Sequence, residues 1–356
     1  MRLATRRAGA LGGAFFFAAL GTGCSRAAPG QVSQTSQGSA LASATTQIAA
    51  EAGAPTFDAG PAKPKPPSIG ASTAKTVLYL EEPAPPCAGD DVEKITCLVG
   101  ARYAGDPAAR ALALDLYDHT GDVAGVEREH TMNGGYRGML HLVPVLPIKE
   151  ERPHLERVTA ALKDYDAFFG ALVRADSPAI AYRWRAISFR FFRSVHARTP
   201  SAYALDWSIG YNVAGSLNGS ADSVRETLFH EIFHLNDAAH GDERGNDWST
   251  KALAGIYADV VRRCGTNAAC LGPFAPNSTM VRGGTYYAFE PGNDVREYAA
   301  ELAIRYYREQ RGMLREGPVV TPAFKCGRPE NAQTWTAITT EFFGGIDLVP
   351  ACAPAR

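Results

Sequence analysis

The stretch "LFHEIFHL", Leu228 to Leu235, restricts the fold more than any other part of the 356-residue chain. At about 100° per residue, a helix here gathers His230 and His234 on one narrow sector, while Leu228, Phe229, Ile232, Phe233 and Leu235 occupy most of the remainder. A helix this apolar is buried. Its two imidazoles and Glu231 are buried with it, and ionisable groups removed from water need partners. One divalent cation serves all three, because H-E-x-x-H sets both imidazoles over one ion and leaves Glu231 beside it to take a proton from water. The motif therefore predicts one Zn2+ per chain. Ser223, with Glu226 three residues on, reads as a capping box for this helix.

Two candidates compete for the third protein ligand. If the chain turned back soon after His234, His240 would complete a three-histidine site of the H-E-x-x-H-x-x-G-x-x-H kind, although Asp237 stands at the glycine position. If the helix continued through Ala238 and Ala239 to a cap at Gly241, His240 would lie too far round to share the ion. The ligand would then come from "GNDVREYAAELAIRYYREQ". Asp294 with Glu297 reads as the start of a helix that lays Val295, Ala299, Leu302 and Tyr306 along one face. Glu297 and Glu301 share another side with Ala300 and Ile304. Adjacent buried carboxylates repel one another unless one meets a cation and the other a hydrogen-bond donor.

"HEIFH" followed by "REYAAEL" resembles the gluzincin metallopeptidases, most closely the group that contains the catalytic domain of anthrax lethal factor. The resemblance covers roughly residues 200 to 350, including the closing helix "PENAQTWTAITTEFFGG". It implies His230, His234 and Glu297 as zinc ligands, Glu231 as general base, and Glu301 as the carboxylate that orients a ligand imidazole. It also implies a tyrosine that donates to the developing oxyanion, for which "GGTYYAFEPGNDVRE" offers Tyr287 or Tyr286. The fold class implied is α+β: a zincin-like metallopeptidase fold, mainly helical, with a small sheet and an active-site helix.

The rest of the chain organises around that helix. Residues 1–23 carry Arg2, Arg6 and Arg7 ahead of a short apolar run, the pattern of an export signal. The run resembles a bacterial lipoprotein signal, which makes Cys24 the lipidated residue and the membrane a partner through an N-terminal lipid anchor. The expected location is the outer membrane or cell surface, with the periplasm or secretion as the alternative. Residues 24–75 are rich in Ala, Ser and Pro and read as a disordered tether. Residues 76–356 form the catalytic domain, with a mainly helical first half (76–200) and a metal-binding part (200–356). Within it, "DPAARALALDLYDHTG", "HLERVTAALKDYDAFFGALV" and "AYRWRAISFRFFRSVHA" read as helices, and "AYALDWSIGYNVAGSLNGS" as a strand or hairpin. The strand within "ALDWSIGYNVAG" is the expected edge for an extended peptide.

Seven cysteines less Cys24 leave six, which can pair completely in an oxidising compartment. Short loops favour Cys87 with Cys97 and Cys264 with Cys270, leaving Cys326 for Cys352. A net charge of -1 gives no basis for nucleic-acid binding, and no G-x-S-x-G supports a serine hydrolase. The expected function is hydrolysis of a peptide or protein substrate by a monomeric zinc endopeptidase. The rival is a non-catalytic surface lipoprotein, a binding module on the same scaffold.

Overall fold

A computed structural model describes residues 67–134, 138–173, 180, 182, 185–281, 283–314 and 322–353. The signal, Cys24 and the tether through residue 66 lie outside the described residues. Helix α1 (Ala71–Tyr79) begins ahead of the expected boundary at 76 and already buries Ala74 and Val77. Then come α2 (Asp91–Arg102), with a complete capping box at Asp90 and Glu93, and α3 (Pro107–Thr120). The α3 ends match the sequence reading: Asp106 accepts from Ala108 and Ala109, Pro107 opens the helix, and Gly121 closes it at φ 74°.

Strands β1 (Val123–Val126), β2 (His130–Asn133) and β3 (Met139–Pro144) precede the long helix α4 (Arg152–Leu172). Next, β4 (Ser188–Ser194) occupies the segment expected to be a third helix. The expectation failed because β4 is buried on both faces: Phe189 and Phe191 enter the main core and Phe192 a separate cluster with Leu140 and Leu142, while Arg190 and Arg193 stand three apart as on a helix face. Strands β5 (Ala202–Leu205) and β6 (Ser208–Asn212) follow as a hairpin, turned by Asp206 and Trp207 at φ 48° and 56°.

All six strands form one mixed sheet organised on β4. One flank of β4 is divided between β1, parallel through Phe191, and β3, antiparallel from Phe192; its other flank pairs parallel with β6. Four of the six strands precede residue 200, so the first half is not simply helical. The strands missed there are short, and residues 130–144 alternate exposed and buried positions too briefly to register as a pattern. The free edge also differs from expectation. β6 is enclosed between β4 and β5, and among the described residues β5 ends the sheet on this side, as β2 does on the other.

The second half supplies α5 (Ala221–Ala239), α6 (Trp248–Ala252), α7 (Ala254–Cys264), α8 (Ala268–Leu271), α9 (Val295–Leu314) and α10 (Pro329–Phe342). α5 packs against α4, α9 and β5. Its position is fixed by aromatic residues: the Phe229 ring lies 4.5 Å from both Tyr182 and Tyr307. Tyr182 donates to the Phe229 carbonyl at 2.7 Å, and Tyr165 donates to that of Arg225. Two tyrosines thus hold α5 by its backbone. The three disulfides are those expected, Cys87–Cys97, Cys264–Cys270 and Cys326–Cys352.

Candidate metal centre

α5 presents His230 and His234 one turn apart, and α9, packed on it, presents Glu297 opposite them. The Nε2 atoms of the two histidines are 3.0 Å apart. His230 Nε2 stands 3.1 Å from Glu297 Oε2, and His234 Nε2 stands 3.6 Å from Glu297 Oε1. These three residues form a group able to hold a metal ion.

The donor set is one that suits a cation. Two imidazole nitrogens that face one another and a carboxylate can share protons, but Glu297 Oε1 and Glu231 Oε2 are buried with no hydrogen-bond partner. A buried acceptor left unpaired costs about 1–3 kcal/mol, more when charged. Zinc bonds of about 2.0–2.2 Å in tetrahedral geometry place ligand atoms about 3.3 Å apart. The observed 3.0, 3.1 and 3.6 Å lie on either side of that value, so the residues present fit the ion.

The electrostatics agree. Burial opposes a charge on His230, yet Glu297 and Glu301 push its pKa up to about 10. Burial likewise opposes a charge on Glu297, but His234 and His230 outweigh it and hold the carboxylate well below its usual range. Desolvation raises Glu231 to about 6, against the pull of both histidines. The cluster therefore keeps Glu297 ionised while making Glu231 a better base than an exposed glutamate.

The neighbours fall into place around this core. Tyr287 is buried and donates its hydroxyl to Glu297 Oε2 at 2.7 Å. Burial and the Glu297 charge raise its pKa well above the ordinary value, so it remains a donor. Tyr286 turns elsewhere: it forms a β-bridge with Met280, and its hydroxyl lies over Gly272. Glu301 Oε1 is 3.6 Å from His230 Nδ1, the nitrogen facing away from Glu297. α5 continues past His234 to Ala239, and His240, its C-cap, meets Glu341 at 2.7 Å, outside the cluster. Asp237, at the glycine position of the three-histidine pattern, is buried against Ser249.

Both capping boxes read from the sequence are corrected. Ser220 caps α5 by accepting from Ser223, while Glu226 is drawn away to pair with Arg308. At α9, Asp294 does accept from the Arg296 amide at 2.9 Å, but Glu297 turns toward His230 and His234 instead of back toward the cap. Asn277 and Arg308, which support Glu301, escaped the sequence reading; no motif singles out an asparagine in "FAPNSTM".

Comparison with protein families, curated proteins and solved structures finds no match for the chain. Its chemistry rests on the residues themselves. Among the described residues no helix is long and apolar enough to cross a membrane, and the three disulfides are compatible with an exported protein.

Proposed function

We propose that the chain is an exported zinc metallopeptidase of the gluzincin type on a zincin-like scaffold. The observation that carries this reading is the buried convergence of His230, His234 and Glu297 with an unpartnered Glu231 oxygen beside them. His230, His234 and Glu297 would hold the zinc. When bound, the ion supplies a Lewis acid that acidifies water and polarises a carbonyl.

The chain's own groups do the rest. Glu231 takes a proton from the attacking water and delivers it to the leaving amine. Its raised pKa suits both tasks. Glu301 holds the His230 imidazole in the orientation that directs Nε2 at the ion. Tyr287 fixes the Glu297 carboxylate in the arrangement described, and its hydroxyl reaches a developing oxyanion only by leaving that bond. The open edge of β5, packed against α5, offers unpaired backbone groups to an extended peptide. The protein acts as a monomer, anchored through Cys24.

Cleavage-site profiling of a proteome treated with the protein or with its Glu231→Gln variant tests this reading. New peptide termini should appear with the parent alone. Zinc bound equally by both, with no new termini from either, would instead make the chain a binding module.

A further inference from the structure

The support of Glu301 runs well beyond the metal cluster. Asn277, 5% exposed, donates through Nδ2 to Glu301 Oε2 at 2.9 Å and to the Glu301 carbonyl at 2.7 Å. Its Oδ1 accepts from Arg308 Nη1 at 2.8 Å. Arg308 in turn grips Glu226 with two bonds of 2.6 Å each, Nε to Oε1 and Nη2 to Oε2. The orientation of the Asn277 amide is fixed by these partners, since a flip would set its NH2 against the guanidinium and its oxygen against the Glu301 carboxylate.

The path closes on itself. Glu226 lies one turn before His230 on α5, and Arg308 lies two turns after Glu301 on α9, so each pair shares a face of its helix. His230, Glu301, Asn277, Arg308 and Glu226 therefore form a loop of polar contacts that leaves α5 at the metal ligand and returns to it one turn earlier. A bidentate arginine–carboxylate pair has strict geometry. It fixes where Arg308 can place Nη1, and hence where Asn277 can hold Glu301.

We propose that Asn277 and Arg308 are positioning residues for the metal centre, setting the Glu301 carboxylate and through it the direction of the His230 imidazole. The proposal rests on the metal reading above. Without Asn277, Glu301 loses its side-chain donor, can swing away from His230, and no longer constrains the ring.

Zinc affinity, measured by competition with a chromophoric chelator, tests it without reference to activity. Asn277→Ala should weaken zinc about 10-fold, toward the low end of the range for lost outer-shell partners, and Glu301→Ala about 10–100-fold. The double variant should bind no more weakly than Glu301→Ala alone, because Asn277 acts only through Glu301. Arg308→Gln should weaken zinc less than Asn277→Ala does, and stands in for it if that variant does not fold. Cobalt-substituted protein should show an altered visible absorption in Asn277→Ala, reporting a changed ligand direction. Fully additive losses in the double variant would overturn the proposal. So would unchanged zinc affinity in both Asn277→Ala and Arg308→Gln. A parent protein that binds no zinc overturns the metal reading and this proposal together, an outcome distinct from a parent that binds and variants that bind equally well.

Discussion

Two buried carboxylates on α5 have nearly the same electrostatic position and very different surroundings. Glu231 is 3% exposed and Asp237 is 1% exposed, and desolvation raises each to about 6. Asp237 is answered by the protein: one oxygen accepts from the Ser249 amide at 2.7 Å and the other from its hydroxyl at 2.6 Å. Glu231 is not, and its Oε2 has no partner. A raised pKa therefore marks burial at both sites and does not by itself separate a proposed catalytic group from a structural one. What separates them is whether the partner set is complete. Asp237 ties the end of α5 to the start of α6, while Glu231 Oε2 is buried beside the two histidines without a hydrogen-bond partner.

The largest effect expected from that difference is catalytic. Glu231→Gln should keep zinc and lower peptidase turnover by at least about 100-fold, the scale of a lost general base. Asp237→Asn should stay within a few fold of the parent. Equal losses in the two variants, measured on one peptide substrate, would erase the distinction between them.

The next effect is on stability and has the opposite pattern. Asp237→Ala leaves the buried Ser249 amide and hydroxyl without an acceptor and should cost about 2–4 kcal/mol in chemical denaturation. Glu231→Gln should cost little, because it orphans no protein donor.

Titration sharpens the comparison further. The folded-state pKa of Asp237, about 6, lies above the ordinary carboxylate value near 4, so the folded protein binds this proton more tightly than the unfolded chain does. The Asp237 contribution is most favourable below the unfolded value and declines as pH rises toward 6. Asp237→Asn removes this dependence. Its stability relative to the parent should improve by about 2 kcal/mol between pH 4 and pH 7, read from paired denaturant melts. A constant difference across that range would mean that Asp237 is not held in its protonated form by burial.

The smallest effect belongs to His240, at the far end of the same helix. His240→Ala breaks the contact with Glu341 and should leave zinc affinity within about twofold, since among the described residues its partners are Glu341 and Phe342, away from the histidine cluster.

The parts of the site carried by helical periodicity were legible in the sequence. His230, Glu231 and His234 announced themselves as ionisable residues in an apolar helix, and Glu297 and Glu301 as paired carboxylates on a second buried face. Their meeting is a tertiary fact, but the need of each set for a partner was visible before it. Two disulfides followed from short loops, and Cys326–Cys352 was what remained once Cys24 was set aside. What sequence patterns obscured were competitions decided in three dimensions. Glu226 satisfies a capping rule locally, yet Arg308 offers a bidentate partner and wins. β4 is buried on both faces and spaces Arg190 and Arg193 three apart, so it shows no strand alternation, and pairing with β1, β3 and β6 selects the strand. Asn277 has no periodic context at all, and its place depends on two helices that are distant from it in sequence.

Metal content ties these regions to one claim, that His230, His234 and Glu297 complete themselves with a zinc ion. Protein purified from zinc-replete cells should carry about one zinc per chain, with X-ray absorption showing two imidazoles and a carboxylate, and Glu297→Ala should lose the metal because two imidazoles alone hold it poorly. A folded parent free of metal, or a Glu297→Ala variant with undiminished zinc, would contradict the claim.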